Sequence, residues 1–346
     1  MNQRHEDNPL TSDERPAIVP EAATVGMLHE VRMRAMATDF VVILPRSAGP
    51  QMDHAVEALQ WAPRLEELLS VYRPGSDISR INRLAGAFCS VSDETCEVLQ
   101  AAATLSDRTD GAFDITAGPL IDAWGFGKRS PRQPDPAVLQ QATQAVGWQN
   151  VIVDRDRGKV KLARENMRLN LGAIGKGFAL DRIGRCLLDA GVHDFLIHGG
   201  NSTLIAFGSP DPQRCPDSGW RVGLRHPKNP TVRLGGVEVR NSALSTSGPG
   251  KQFFHHRGQR FGHVIDPRTG RPAGDLESLT LLTESATAAD ALSTALFVIG
   301  CEAAIDFANR FAIPLYCLAA QSHSPAVNVV VAGGARLIQT ETAEQA

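Results

Sequence analysis

A carboxylate, a lysine and a histidine, each set among small or turn-forming residues, carry the chemistry this sequence can offer. In TAADALSTALFVIG, residues 287–300, an otherwise apolar run holds Asp290, with Thr294 four residues on and Thr287 three before. At 3.6 residues per turn these three lie on nearly one side of a helix, an oxygen-bearing stripe on a buried element. A buried carboxylate is costly unless a cation, a set of hydrogen-bond donors or a metal compensates it, so the stripe is a candidate metal site. The plainer reading, in which Thr294 returns its hydroxyl to the carbonyl of residue 290, stays open on this stretch alone.

LNLGAIGKGFALD, residues 169–181, sets three glycines before or within the first turn of a helix, with Lys176 between the last two. Backbone amides at such a helix start can hold an anion and the lysine adds a point charge, which makes a phosphate site. Glycines that only permit close packing are the alternative. The segment is not a Walker A loop, because Asn170 and Gly177 stand where that pattern needs Gly and Ser or Thr, and it does not match the dinucleotide fingerprint.

In STSGPGKQFFHHRGQRFGHVIDPRTGRP, residues 245–272, His263 and Asp266 are the chemical candidates. A histidine titrates near neutral pH and can take a proton from a hydroxyl, although a surface or structural histidine is the ordinary alternative. His255 and His256 read as exposed hairpin residues. YRPGSDISRINRLAG at 72–86 and DGAFDITAGPLIDAWGFG at 110–127 read as ordered loops. Their Tyr72, Phe113, Trp124 and Phe126 could wall a planar ligand or fill a core.

The elements that must position these residues follow from periodicity. Residues 1–25 are polar and read as a disordered N-terminal tail, and 336–346 as a loose C-terminal tail, which leaves 26–335 as one domain. HEVRMRAMATDFVVILP predicts a strand pair, and HAVEALQWAPRLEELLSVY a helix perturbed near Pro63. Helices follow after Ser92 and Asp135, which are placed to cap them. VIVD, KVKLA and MRLNL predict three short strands, then a glycine-entered helix ends at Gly191. DFLIH, TLIAFG, WRVGLR, GGVEVR, SLTLLTE, IPLYCLAA and AVNVVVAGG predict further strands. Strand meanders with scattered helices, and no regular βαβ alternation, argue for an α+β fold.

The 346 residues provide for a substantial core, and a net charge of −3 with 21% charged residues gives no basis for nucleic-acid binding. No apolar run reaches bilayer-spanning length and the first residues hold no apolar signal core, so a cytoplasmic protein is expected, with no transmembrane segment. The six cysteines show no C-x-x-C pair and no zinc spacing, and most read as reduced core residues. The first is Cys89, which excludes a lipoprotein-type cysteine near the start of the chain.

Taken in order, these segments resemble the ApbE family of FAD:protein FMN transferases, from about Met33 to about Ala304. The likeness is carried by MATDF at 36–40, YRPGSDISRIN at 72–82, GAFDITAGPLIDAWGFG at 111–127, LNLGAIGKGFALD, GGN at 199–201, STSG at 245–248, HVIDPRTGRP at 263–272 and TAADALSTALFVIG. It implies mixed or antiparallel sheets and helices around a central FAD cleft. The implied enzyme is Mg²⁺-dependent: it splits the pyrophosphate of FAD, joins FMN to a threonine or serine of an acceptor flavoprotein, and releases AMP.

By that resemblance Asp290, Thr294 and the Ala173 carbonyl would hold Mg²⁺, which favours hard oxygen ligands. Lys176 would hold phosphate, and His263, in a catalytic group with Lys176 and Asp266, would be the base. Met36, Tyr72, Asn82, Asp114 and Thr116, together with Lys176 and His263, would line the FAD site. The chain departs from the family pattern at Ala37, usually Gly, at Asn170 and Asn201, usually Asp, and at Gly250, usually aromatic. An FAD pyrophosphatase using water and an inactive FAD-binding protein remain alternatives, because metal, phosphate cradle and base serve water and threonine equally. Retention of Asp290, Thr294 and His263 together speaks against the inactive form.

Overall fold

A computed structural model of the chain describes residues 18–20 and 28–338, apart from 129, 201, 228, 230, 231, 250–252, 257, 258, 275 and 320–328. Asn201 and Gly250, two of the departures, lie outside the described residues, as does most of each expected tail. The described parts of those tails are paired. Ile18–Pro20 forms a strand against Trp220–Arg225, and Ile338 bridges Gly236.

The fold is α+β. Eight strands, antiparallel at every step, form the main sheet in the order Val329–Ala332, Leu315–Ala319, Leu276–Thr283, Ser242–Ser247, Thr203–Phe207, Phe195–Gly199, Thr38–Pro45 and Leu28–Ala35. Side chains of a strand alternate between faces, so each central strand serves two cores. Phe40, Val42 and Leu44 face the helices, with Leu180, Ile183, Leu292 and Leu296 in the same cluster. Val41 and Ile43 face the other way, towards Trp220, Val222 and Val237 of the three-stranded sheet built from Ile18–Pro20, Trp220–Arg225 and Arg233–Val239. Burial on both faces explains why these strands read as nearly continuous apolar runs.

The helices predicted after Ser92 and Asp135 form with those caps, whereas the segments read as loops at 72–86 and 110–127 contain the short helices Asp77–Arg83 and Gly118–Ala123. Ser92 accepts from the Thr95 amide ahead of Asp93–Arg108, and Asp135 from the Ala137 amide ahead of Pro136–Gln144. The helix expected around Pro63 is two, Met52–Leu59 and Trp61–Leu69, because proline can neither donate to the preceding turn nor fit its carbonyl. MRLNL is not a strand. Only Arg168 makes an isolated bridge, to Ala117, while its neighbours serve loops. The helix Cys301–Phe311, directly after Gly300, was not predicted. All six cysteines are free, with Cys89, Cys96 and Cys317 buried as expected and Cys215 exposed. Among the described residues no helix is long and apolar enough to cross a membrane.

The hairpin joining Leu28–Ala35 to Thr38–Pro45 turns on Met36 and Ala37, with φ of 51° and 59°. Two positive φ values in a two-residue loop match the twist of the strands but favour glycine, which gives a physical reason for the family's usual glycine at position 37. Ala37→Gly should therefore stabilise the protein by about 1 kcal/mol, read as a raised denaturation midpoint at unchanged m-value. An unchanged midpoint would show that the alanine carries no such strain.

Candidate active site

The site begins where the helices Gly175–Asp189 and Ala286–Ile299 meet. A Cβ on Gly177 would fall 2.1 Å from the Ala286 carbonyl oxygen, so only glycine lets the two helix starts approach this closely. That approach brings the Gly177 amide to 3.2 Å from Asp290 Oδ2 and Lys176 Nζ to 3.5 Å from the same oxygen. Thr203 Oγ1, from the strand Thr203–Phe207, donates to Asp290 Oδ1 at 3.1 Å. The carboxylate is only 5% exposed, and an ammonium, an amide and a hydroxyl compensate it. Gly177 of LNLGAIGKG thus serves close packing, and the same packing aims its amide at an anion.

Gly177 has a second consequence. In a regular helix its amide would serve the carbonyl four residues back, which is that of Ala173. Here it donates to Asp290. The Ala173 carbonyl, just ahead of the helix, is thereby left without a backbone donor among the described residues. Thr294 Oγ1 donates to the Asp290 carbonyl at 3.1 Å, as the plainer reading held, and a hydroxyl that donates there keeps its lone pairs for another partner.

Thr287 does not join the stripe. Its hydroxyl donates to Asp181 Oδ2, which also takes the Thr287 amide at 2.9 Å, while Oδ1 takes the Ala286 amide at 2.7 Å. Asp181 thus caps the incoming helix, and Thr287 sits one turn too early to reach the carboxylate of Asp290. Burial pushes the Asp181 carboxyl up from its usual range against the pull of the Thr287 and Ala286 bonds.

At the end of the strand Ser242–Ser247, Ser247 Oγ lies 2.9 Å from Ser293 Oγ and 3.4 Å from Thr294 Oγ1. Two residues on, the Pro249 carbonyl is 3.2 Å from His263 Nδ1. A carbonyl only accepts, so Nδ1 carries the proton and Nε2 is the basic nitrogen. His263 is exposed. It is tied by that short run of chain to the Thr294 end of the aspartate helix. Asp266 is committed elsewhere: Arg268 binds both its oxygens, Nε to Oδ1 and Nη2 to Oδ2, each at 2.9 Å. This pair closes the turn whose Gly270 carbonyl takes the Trp124 indole N–H at 2.8 Å.

The expected FAD-lining residues divide by what they touch. Met36 sits in the hairpin turn and Tyr72 is 76% exposed. Asn82 bonds the Leu169 amide and carbonyl at 2.7 and 3.0 Å. Asp114 takes the Thr116 amide and hydroxyl on Oδ1 and the Trp148 amide on Oδ2, and Thr116 takes the Gly147 amide. Burial raises the Asp114 carboxyl above its usual range despite those bonds. Asn170 accepts from the Gly172 amide at 2.9 Å and donates its own amide to Ile115. Phe113, Trp124 and Phe126 are buried, so of the four aromatics proposed as ligand walls only Tyr72 presents its ring to solvent.

These bonds stitch together segments far apart in sequence: 82 to 169, 115 to 170, 124 to 270, 177 to 290, 247 to 294 and 249 to 263. Among the described residues no group of three or more His, Cys, Asp or Glu could hold a metal, so a cation here would rely on one carboxylate with hydroxyl and carbonyl oxygens.

The ApbE family model matches residues 32–317, a span that holds every segment joined by these bonds. The chain belongs to the ApbE family. It is 32% identical over 260 residues to an FAD:protein FMN transferase of Treponema pallidum, covering 71% of each chain. It is 29% identical over 323 residues to the FAD:protein FMN transferase of Salmonella typhimurium, covering 90% of this chain and 87% of that one. Among solved structures, the apo form of Pseudomonas stutzeri flavinyl transferase ApbE superposes with a TM-score of 0.77 at 29% identity, over 88% of this chain and 94% of that one. The ApbE protein of Thermotoga maritima superposes with a TM-score of 0.78 at 26% identity, over 88% and 97%. Residues bonded around Asp290 and the start of its helix that sequence reasoning did not single out are Asp181, Thr203, Ser245 and Ser293. Ser245 lay in the quoted STSG, whereas Thr203 looked like an ordinary strand threonine.

Proposed function

We propose that this ApbE-family chain transfers FMN from FAD to a threonine or serine hydroxyl of an acceptor flavoprotein and releases AMP. The observation that carries the proposal is the junction at Gly177, where the close approach of two helix starts brings the Gly177 amide and Lys176 onto the Asp290 carboxylate. His263 is hydrogen-bonded to Pro249, two residues after the Ser247 that lies 3.4 Å from Thr294.

The acceptor oxygen forms a bond to the phosphorus of the FMN half as the bond to the AMP oxygen breaks. His263 Nε2 takes the hydroxyl proton, and its Nδ1 bond to Pro249 fixes the tautomer that can do so. Lys176, partly buried and already beside Asp290, supplies positive charge for the pyrophosphate. Tyr72 offers an exposed ring face for FAD, while Asn82, Asp114 and Thr116 hold the loops that bound it. Asp266, through Arg268, shapes the turn after His263 and acts on catalysis only by placing it.

Mg²⁺ fits the oxygen set of Asp290, Thr294 and the Ala173 carbonyl, and when bound supplies charge neutralisation at the phosphates. The test is AMP release from FAD, followed by chromatography with and without an acceptor domain and with and without a chelator. Release that needs both acceptor and divalent metal is expected. Rapid FMN and AMP production without any acceptor would instead identify a pyrophosphatase.

A further inference from the structure

The carboxylate of Asp290 ends a chain of hydroxyls that no part of the proposed reaction uses. Ser247 Oγ lies 2.9 Å from Ser293 Oγ, Ser293 Oγ donates to Ser245 Oγ at 3.1 Å, Ser245 Oγ lies 3.1 Å from Thr203 Oγ1, and Thr203 donates to Asp290 Oδ1 at 3.1 Å. Thr203, Ser245 and Ser293 are fully or almost fully buried, so no solvent competes for these bonds.

The direction of the chain follows from proton counting. A hydroxyl has one proton to give and two lone pairs to accept with, whereas a carboxylate only accepts. Thr203 gives its proton to Asp290, so Ser245 must donate to Thr203. Ser293 shares its one proton between Ser245 Oγ and the Asp290 carbonyl, each 3.1 Å away, so the aligned part of the row runs from Ser245 through Thr203 to the Asp290 carboxylate, where such bonds reinforce one another in a dry interior. Ser247, at the far end, also stands 3.4 Å from Thr294 Oγ1. The row therefore runs from beside one proposed cation ligand to the carboxylate of the other, through two adjacent strands of the sheet.

We propose that Thr203 and Ser245 are positioning residues for the cation. They fix Asp290 Oδ1, and through it the rotation of the carboxylate, so that Oδ2 faces the Lys176 and Ala173 side, and they hold Thr294 in step with it. The proposal rests on the reading of Asp290 and Thr294 as metal ligands. Because Mg²⁺ demands near-ideal octahedral geometry and Ca²⁺ does not, a fixed carboxylate favours Mg²⁺.

The experiment measures Mn²⁺ binding to the full chain at saturating FAD, by loss of the free-ion electron paramagnetic resonance signal, with Mg²⁺ and Ca²⁺ as competitors. Thr203→Val should weaken Mn²⁺ about 10-fold or more, in the range seen when an outer partner of a metal ligand is lost, while Thr203→Ser stays within about threefold of the parent. In Thr203→Val, Mg²⁺ should also lose ground as a competitor relative to Ca²⁺. Asp290→Ala serves as the reference. If it loses Mn²⁺ binding but Thr203→Val binds like the parent, or if the valine and serine variants are equally weak, the positioning role is wrong and the metal site stands. If Asp290→Ala itself binds Mn²⁺ normally, the metal site fails and this proposal with it. Should circular dichroism show Thr203→Val unfolded, Ser245→Ala carries the same comparison one hydroxyl further along.

Discussion

Asp290→Ala is expected to lower Mg²⁺-dependent AMP release by about 10³-fold or more, since a cation at phosphate contributes several kcal/mol and each 1.4 kcal/mol is tenfold. The truncation also strands the Thr203 hydroxyl and the Gly177 amide in a dry interior. A stability loss of about 1 to 3 kcal/mol should accompany the loss of turnover. Asp290→Asn separates the two effects. Its side-chain oxygen can still accept from Thr203 while its NH2 cannot accept from Gly177 or Lys176, so it should recover only part of the lost stability while remaining catalytically poor. Turnover near the parent's in Asp290→Asn, measured at saturating Mg²⁺ and FAD, would remove the carboxylate from the mechanism.

His263→Ala should slow transfer by about 10² to 10⁴, the range for a lost general base, with FAD affinity little changed. The side chain is exposed, so the fold should survive its removal. A variant that saturates only at much higher FAD concentration, yet turns over at the parental rate once saturated, would make His263 a binding residue.

Much of the site was legible in the sequence because its anchors break local rules. An aspartate in an apolar helix, and glycines on both sides of a lysine, each conflict with what a core or a helix start prefers. Both resolve into the single contact at Gly177. The cap residues Ser92 and Asp135 and the alternating strands were readable for the same local reason. The hydroxyl row was not, since Thr203 and Ser245 are 42 positions apart and threonine is ordinary in a strand. Asp181 was hidden in a helix whose acidic residues look solvated, and only the packing of a second helix start onto it reveals a cap. MRLNL alternates like a strand, but its residues bond to two different segments, through Leu169 to Asn82 of the helix Asp77–Arg83 and through Asn170 to the loop at Ile115. Sequence periodicity reports which residues share a face, and it is silent on which distant segment that face meets.

The central claim is that this ApbE-family site moves FMN to a protein hydroxyl. It is tested most directly by incubating the chain with FAD, Mg²⁺ and an acceptor domain that carries an exposed threonine, then denaturing the mixture and looking for flavin fluorescence on the acceptor. A fluorescent acceptor is predicted, with the signal abolished when that threonine is replaced by alanine and when His263→Ala replaces the parent over the same short interval. An acceptor that stays dark across candidates from the same cell, while FAD is consumed to free FMN, would contradict the account.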